Sequence, residues 1–323
     1  MLGIHHIVIE NKRLRYEFDI RRNLTVIRGN SGTGKTTMIS MLRSYELDGE
    51  GSGITVICDS PCAVLNYTHW KASLSEIHDS IVFIDEDARF ITSIDFARAI
   101  EHTSNYYVLI TRDRLENLPY STDEIYEIRR SQKYAGLKKT YNELHRIYYP
   151  SSLRELKQAD KVITEDSNSG YQLFSAVFSK PCISGDGKAG IYAKVKSYYG
   201  QTCLIIADGA AFGPEMDRMQ QLAESGYNII LYLPESFEWL ILSSGILKDA
   251  DVKLILSSPE NFIDSKLYFS WERFFTSLLI EKTNGSQLQY SKNRLNPHYL
   301  EKNVLDKIIS VIPPALTFPK NTP

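Results

Sequence analysis

The chain has 323 residues, an ordinary share of apolar residues and a formal net charge of −2. Its length favours about two domains, and its charge excludes a general attraction to nucleic acid or anionic membranes, so such a contact needs a local patch. No apolar run approaches the ~20 residues of a membrane helix, and the start does not resemble a signal peptide. The four cysteines lack zinc spacing and are expected to be buried thiols. We therefore expect a cytoplasmic protein with no membrane partner.

The chain opens with three strand-like runs. Residues 4–9 and Leu14–Ile20 come first, and the second run alternates apolar and charged side chains, as a half-buried strand does. Residues 24–27 form a short apolar run that suits a buried strand. After the glycine-rich loop that follows, apolar residues recur at helical spacing. The order predicted is therefore two meandering strands, a buried strand, a loop and a helix.

That loop matches the phosphate-binding pattern G-x-x-x-x-G-K-T, as Gly29-Asn30-Ser31-Gly32-Thr33-Gly34-Lys35-Thr36-Thr37. Its glycines let the backbone turn tightly, so that N–H groups point at phosphate oxygens. Lys35 supplies a charge for the β- and γ-phosphates, and the Thr36 hydroxyl is a ligand for Mg²⁺. All nine residues are predicted to contact the nucleotide at the start of a helix.

Two later strands end in polar residues. Ile81–Ile84 is followed by Asp85 and Glu86, which resembles the Walker B strand of P-loop ATPases. The resemblance implies that Asp85 holds Mg²⁺ through water and that Glu86 polarises the attacking water. The next buried run ends at Thr111, which takes the role of γ-phosphate sensor by the same resemblance. Arg112 either pairs with phosphate or is an ordinary surface arginine.

The opening of the chain resembles that of ABC-type and RecF-like ATPases. There is no L-S-G-G signature between Lys35 and Asp85, and no N-K-x-D guanine-reading motif follows. We therefore predict a compact ATPase domain over residues 1–118 that prefers ATP to GTP and uses Mg²⁺. A small-molecule phosphotransferase remains an alternative, although such kinases seldom carry Asp-Glu at this position.

Residues 119–158 are predicted to be a basic, tyrosine-rich connector. Proline at position 119 breaks the preceding pattern. Basic side chains then interleave with tyrosines over residues 126–157, a pattern that can track the phosphates of DNA or RNA and stack on bases. The alternative is a solvated helix whose tyrosines pack against both domains. The basic residues are Arg129, Arg130, Lys133, Lys138, Lys139, Arg146, Arg154 and Lys157, and the tyrosines are Tyr126, Tyr134, Tyr141, Tyr148 and Tyr149.

In residues 159–323, strands alternate with helices, which predicts a parallel α/β sheet. Glu165 and Asp208 each follow an apolar strand, and the carboxyl ends of parallel strands meet at one edge. With the glycine-rich turn at residues 185–190, this order resembles the Toprim fold of topoisomerases, primases and OLD-family nucleases. The resemblance implies that Glu165 and Asp208 share Mg²⁺.

One carboxylate of that pattern is missing, because Ala210 stands where the family has the second aspartate of D-x-D. Asp186, Glu215 or Asp217 can substitute, or can serve simply as loop or first-turn acids at helix N-termini. Two other readings stay open: a Rossmann-like domain whose 185–190 loop binds a phosphate, and acids that cap helices without metal. Residues 271–280 and 300–312 are expected to be packing helices.

The sequence thus predicts an α/β protein, with an N-terminal P-loop NTPase sheet domain and a C-terminal Toprim-like domain that ends in helices. It resembles OLD-type ATPase–Toprim proteins, which implies an ATP cycle that controls a domain acting on or binding nucleic acid, in mobile-element or antiviral defence. The alternative is an ATP-dependent adaptor whose Toprim-like half binds a partner protein without cutting nucleic acid, the choice that Ala210 favours. A homo-oligomer is compatible with either function.

Overall fold

The computed structural model describes residues 1–29, 32–65, 67–132, 138–148 and 159–316. The chain forms two compact units: unit 1 is Met1–Tyr148 with Ser258–Ser270, and unit 2 is Tyr149–Ser257 with Trp271–Pro323. Each unit has its own β-sheet and helices, so the α/β class predicted from the sequence is confirmed. In the ranges described, no helix combines the length and the apolar character needed to cross a membrane.

The described part of unit 1 contains nine strands and three α-helices. They are β1 (His5–Glu10), β2 (Leu14–Ile20), β3 (Leu24–Arg28), α1 (Lys35–Asp48), β4 (Thr55–Ile57), β5 (Cys62–Val64), α2 (Trp70–Glu76), β6 (Ile81–Ile84), α3 (Ile94–Ile100), β7 (Tyr106–Ile110), β8 (Ile125–Arg130) and β9 (Thr140–Arg146).

These nine strands form one mixed sheet in the order β4-β1-β2-β9-β8-β3-β7-β6-β5. Near its centre, β3 runs parallel to β7 on one side and to β8 on the other, and β7 is parallel to β6. Ile27 of β3 is level with Ile110 of β7, and Leu109 is level with Ile84 of β6. The chain therefore leaves β3, β6 and β7 at the same edge of the sheet.

Burial follows directly from the sequence pattern of the strands. Every residue of β3, β6 and β7 is buried, as expected for short continuous apolar runs in a sheet that is covered on both faces. In β2 the alternate residues Tyr16, Phe18 and Ile20 are buried in the same apolar cluster as Met38 and Ile39 of α1. The core thus fixes α1, and with it the loop that precedes α1, against the sheet.

The described part of unit 2 contains a four-stranded parallel sheet in the order β11-β10-β12-β13, and seven α-helices. Its elements are β10 (Lys161–Thr164), α4 (Ser169–Val177), β11 (Cys182–Ser184), α5 (Lys188–Lys196), β12 (Thr202–Ile206), α6 (Met216–Glu224), β13 (Asn228–Tyr232), α7 (Phe237–Ser243), α8 (Ala250–Ser257), α9 (Trp271–Thr283) and α10 (Lys302–Ser310). The parallel sheet predicted for this half is confirmed.

The structure differs from the sequence prediction at the connector. Residues 125–130 and 140–146 are β8 and β9, an antiparallel pair within the sheet of unit 1, and neither is a helix or a linker. The reason is the burial of Ile125, Tyr126 and Ile128, which pack in the sheet while Arg129 and Arg130 are exposed. Unit 1 therefore does not end at residue 118. Lys133, Tyr134, Tyr149, Arg154 and Lys157 lie outside the described residues.

The second difference concerns Ser258–Ser270, which the sequence analysis assigned to the C-terminal domain and which belongs to unit 1. Backbone hydrogen bonds join Gly3 N–H to the Glu260 carbonyl (2.7 Å) and Ser265 N–H to the Met1 carbonyl (3.1 Å). The Asn23 amide also donates to the Phe269 carbonyl, at 2.7 Å. No periodicity in this short stretch distinguishes such an excursion from the helices around it.

Candidate functional site

The glycine-rich loop of unit 1 connects β3 to α1 and has a strongly constrained backbone. Gly29, Gly32 and Gly34 have φ angles of +124°, +84° and +94°, a region that L-residues with side chains rarely adopt. Gly34 precedes the first residue of α1, so the free N–H groups of the first helical turn face the loop. Asn30 and Ser31 lie outside the described residues.

Tyr16 of β2 anchors the end of this loop. Its buried hydroxyl donates to the Gly34 carbonyl at 2.9 Å. The contact is close, since a Cβ at Gly34 would lie 2.8 Å from that hydroxyl oxygen. The Gly34 carbonyl also accepts from Met38 N–H, at 3.0 Å, in the first turn of α1. The sequence analysis identified Tyr16 only as a strand residue, because its partner lies 18 positions away.

Lys35 is buried and its ammonium is held by the loop itself. Nζ donates to the Gly29 carbonyl at 2.7 Å and to Thr33 Oγ1 at 3.4 Å. Burial lowers the pKa of this ammonium, an effect that the nearby Glu86 carboxylate opposes and that Arg112 reinforces. Thr36, the next residue, is exposed on the first turn of α1. The loop thus presents one fixed cation and one accessible hydroxyl.

The two acids after β6 lie beside that lysine. Asp85 is buried, and its Oδ1 accepts a hydrogen bond from Glu86 N–H at 2.9 Å. Glu86 Oε2 is 3.4 Å from Arg112 Nε, yet this buried oxygen accepts no hydrogen bond from the described residues. A buried carboxylate oxygen without a donor can accept a bond from a water molecule or from a ligand.

Thr111 follows β7, which pairs with β3 and β6 and ends at the same edge of the sheet. Its N–H donates to the Ile27 carbonyl at 3.2 Å, and its side chain is almost fully buried. Thr111 Oγ1 accepts a hydrogen bond from Asp113 N–H at 2.9 Å. The hydroxyl can still donate a hydrogen bond to another group. The structure therefore brings together the lysine, the acidic pair and the threonine that the sequence analysis singled out.

The basic residues of β8, of β9 and of the position before β9 are mostly paired with acids of their own unit. Arg129 pairs with Glu127, Lys139 lies 2.7 Å from Glu10 Oε2 and Arg146 lies 3.4 Å from Asp123 Oδ1. Arg130 is exposed at the end of β8. These ion pairs reduce the net positive charge available to nucleic acid on the described part of this segment.

In unit 2, the strand ends of β10 and β12 bring Glu165 and Asp208 together. Thr164 is level with Ile206 across the sheet, and Asp208 N–H lies 3.4 Å from Glu165 Oε2, which accepts its hydrogen bond. Burial raises the pKa of the Asp208 carboxyl well above its ordinary value, and Glu272, Glu165 and Glu238 raise it further. Burial raises the pKa of Glu165 as well.

Two lysines offset part of the negative charge of these carboxylates. Lys188, at the start of α5, lies 3.9 Å from Glu165 Oε1 and 4.0 Å from Glu272 Oε2. Lys292 bonds Glu272 Oε1 at 2.8 Å. The sequence analysis missed Glu272 and Lys292, because Glu272 lies in a helix interpreted as packing and Lys292 follows that helix without a recognisable pattern.

A narrow cleft of about 40 Å³ lies beside the pair, with Glu165, Asp208, Glu238, Tyr290 and Lys292 among its lining residues. That volume suits a few water molecules and no larger ligand. The Tyr290 hydroxyl donates to Glu238 Oε1 at 2.8 Å, and Glu238 Oε2 is buried without a hydrogen bond from the residues described.

Two of the three predicted substitutes for the missing carboxylate, Asp186 and Glu215, pair with cations elsewhere. Asp186 lies 3.4 Å from Lys194 Nζ, and Glu215 lies 3.3 Å from Arg218 Nη1. Ala210 is buried in a short turn and its N–H donates to the Glu235 carbonyl. Across the ranges described, no three His, Cys, Asp or Glu side chains are arranged to hold a metal ion. The structure therefore joins Glu165 to Asp208 but does not add a third acidic ligand.

The comparisons with known proteins add no relative: no protein-family model matches the chain, and no curated protein matches it. What the two sites can do is therefore argued from their geometry.

We expect Tyr16→Phe to weaken the affinity of the loop for ATP, the ligand predicted from the sequence, by about three- to tenfold, the usual range for one hydrogen bond. The phenylalanine keeps the ring in the core but no longer fixes the Gly34 carbonyl. Tyr107→Phe is the matched control, since it removes another buried hydroxyl of unit 1, which bonds Thr103 at 2.8 Å. Isothermal titration would measure both dissociation constants, and equal values would contradict a role for Tyr16 at the loop.

We expect Asp208→Asn to stabilise unit 2 at pH 8 and to matter less as the pH falls. The pKa of Asp208 in the folded state is raised, so its ionised form costs free energy above that pKa, and the cost disappears as the pH falls through it. The asparagine can still accept the Phe237 N–H bond that Oδ1 accepts at 2.9 Å.

The measurement is thermal unfolding of both proteins between pH 5 and pH 8. We expect a midpoint about 2–4 °C higher for the variant at pH 8, with a smaller difference at pH 5. A variant that is less stable than the parent at pH 8 would contradict this account. Adding Mg²⁺ tests whether Glu165 and Asp208 share a metal ion. A bound ion would raise the unfolding midpoint of the parent and not that of the variant.

Proposed function

We propose that this protein binds ATP at the loop between Gly29 and Thr37, hydrolyses it with Mg²⁺, and uses the cycle to switch the binding state of unit 2. The observation that carries the proposal is the common edge of β3, β7 and β6. There the loop lysine, Thr111 and the Asp85–Glu86 pair come together from three strand ends. A lysine, a hydroxyl and an acidic pair at one edge form the group of side chains that phosphoryl transfer to water requires.

The residues present fit a Mg²⁺–nucleotide complex. Asp85 offers a buried carboxylate, and Thr36 offers an exposed hydroxyl on the first turn of α1. These two side chains would hold the ion, which when bound neutralises charge on the phosphates. Lys35 binds the β- and γ-phosphates as a point charge, and the helix N-terminus adds backbone donors. The Thr111 hydroxyl donates a hydrogen bond to a γ-phosphate oxygen.

Glu86 acts as the general base in this proposal. Its Oε2, which accepts no hydrogen bond from the described residues, accepts a proton from the attacking water. The water oxygen forms a bond to the γ-phosphorus, the bond from that phosphorus to the bridging oxygen breaks, and ADP and phosphate leave. Arg112, 3.4 Å from Glu86 Oε2, keeps the carboxylate at the edge of the site. A small-molecule phosphotransferase is less well supported, because such kinases seldom carry Asp-Glu at the end of this strand.

For unit 2 we favour binding over cutting. Lys188 and Lys292 supply the positive charge that would otherwise come from metal ions, and Ala210 removes a ligand of the Toprim-like pattern. This supports an ATP-dependent adaptor with a Toprim-like domain that binds a partner protein. The setting of antiviral or mobile-element defence rests on the resemblance to OLD-type proteins alone.

Nucleic-acid cleavage is the second candidate for unit 2. The observation in its favour is the contact between Glu165 and Asp208 at the carboxyl edge of the sheet. Its test is Mg²⁺- or Mn²⁺-dependent cutting of DNA and RNA, with and without ATP. Cutting that is lost in Asp208→Asn would establish the nuclease and overturn the adaptor.

The ATPase proposal is tested by two substitutions. We expect Lys35→Ala to abolish ATP binding or turnover, because the β/γ charge loses its partner. We expect Glu86→Gln to keep ATP bound while turnover falls about 10²–10⁴-fold, the usual cost of losing a general base. Glu76→Gln, an exposed glutamate of α2, is the matched control and should behave as the parent. Phosphate release at the parent rate in Glu86→Gln would show that Glu86 is structural.

A further inference from the structure

Unit 1 has an open cleft at the edge of its sheet opposite to the glycine-rich loop. It lies beside α2 and α3, next to the short segments that precede β6 and β7, and has a volume of about 590 Å³. Because the parallel strands β6 and β7 begin at this edge and end at the other, the cleft is separated from the Asp85–Thr111 edge by the length of a strand. It is therefore distinct from the proposed ATP site.

The side chains that line this cleft carry a net positive charge. They include the cations Lys71, Arg98 and Lys266, with His78 and His102 beside them, and among the described lining residues Asp95 is the only acid. Asp95 already has a cationic partner, since Lys71 Nζ lies 2.8 Å from its Oδ2. The lysine bond is the main reason why the pKa of Asp95 is lowered, and the charge of Arg98 contributes. Even with Asp95 ionised, the cleft keeps a net positive charge.

The walls of the cleft are held together by hydrogen bonds between neighbouring segments. Asn105 donates to the Ile77 carbonyl at 2.8 Å and accepts from Ser80 N–H at 3.1 Å. Asp79 N–H donates to Ser104 Oγ at 3.0 Å. These bonds join the segment before β6, which carries His78, to the segment before β7, which carries His102. The basic side chains thus stand on a fixed frame, which lowers the entropic cost of binding an anion.

Lys266 reaches the cleft from the excursion Ser258–Ser270. Its own N–H donates to Asp264 Oδ1 at 2.9 Å, and the neighbouring Ser265 N–H donates to the Met1 carbonyl at 3.1 Å. Asn23 fixes the far end of the excursion through the Phe269 carbonyl. A cation from a distant part of the sequence is therefore added to Lys71 of α2 and Arg98 of α3.

We propose that this cleft binds a ligand through its phosphate groups. Arg98 offers a planar fork that matches phosphate oxygens, and Lys266 adds a point charge. The volume falls in the range of small-molecule sites. No Phe, Tyr or Trp is among the described lining residues, so phosphates rather than stacked bases are what it recognises. The phosphates come either from a free phosphorylated small molecule or from a nucleic-acid backbone. This inference goes beyond the ATPase proposal and does not depend on it.

The test uses inorganic tripolyphosphate as the probe, titrated calorimetrically into the full chain carrying Lys35→Ala, so that the glycine-rich loop contributes little. Adding Arg98→Gln and Lys266→Gln should weaken binding at least about tenfold, because two of the cations that contact the phosphates are lost. The matched control adds Lys12→Gln and Arg13→Gln, which removes one lysine and one arginine from the exposed β1–β2 turn. The control should bind the probe within about twofold of its parent.

Both pairs of side chains are exposed, so the unfolding temperatures should match and a loss of binding can be assigned to the cleft. Equal tripolyphosphate affinity in the cleft variant (Arg98→Gln with Lys266→Gln) and the control variant (Lys12→Gln with Arg13→Gln) would overturn the proposal. An absence of binding to the Lys35→Ala parent would overturn it as well. Repeating the titration with a short single-stranded oligonucleotide identifies the source of the phosphates. A parallel loss for both probes supports a nucleic-acid backbone, and a loss for tripolyphosphate alone supports a free phosphorylated ligand.

Discussion

The parallel register of β3, β7 and β6 is the constraint on which the proposed ATP site depends. Ile27 is level with Ile110, and Leu109 is level with Ile84, so residues that are up to 83 positions apart leave the sheet at one edge. At that edge, Thr111 N–H donates a hydrogen bond to the Ile27 carbonyl. The same pairing leaves the starts of β6 and β7 at the opposite edge, where the basic cleft lies. A slip in this register would separate Lys35 from its acids and would also dismantle the cleft.

Charge is balanced differently in the two units. In unit 1 the loop lysine is held by backbone and hydroxyl oxygens and lies in the field of Glu86 and Asp85, which fixes its ammonium against the loop. In unit 2 the carboxylates face lysines at close range, and Asp208 avoids part of the cost of burial by binding its proton more tightly. Unit 1 thus presents cations to a ligand, while the charges of unit 2 largely satisfy one another. This contrast is why we place turnover in unit 1 and binding in unit 2.

Much of the fold could be predicted, because residues 24–27, 81–84 and 106–110 are short, largely apolar runs. The glycine-rich loop could be predicted because its glycines, lysine and threonine each have a known role in phosphate binding. The parallel sheet of unit 2 followed from its alternating elements. The strands β8 and β9 were missed because the buried residues Ile125, Tyr126 and Ile128 do not alternate regularly with exposed ones, so no strand period stands out among the basic residues. No local sequence pattern could identify Tyr16, Lys266 and Glu272, because the residues near them in the fold lie far away in the sequence. Side chains brought together by tertiary folding are what a single sequence does not reveal.

The central claim is that the edge formed by β3, β7 and β6 is a site for Mg²⁺ and ATP. Its most direct test is a crystal structure of the protein with Mg²⁺ and a non-hydrolysable ATP analogue. The account predicts that the phosphates lie against the N–H groups of the loop and the first turn of α1, with Lys35 on the β- and γ-phosphates. It also predicts Asp85 beside the ion and Glu86 within reach of a water in line with the γ-phosphorus. An analogue bound elsewhere, or bound with Asp85 and Glu86 remote from its phosphates, would contradict the account.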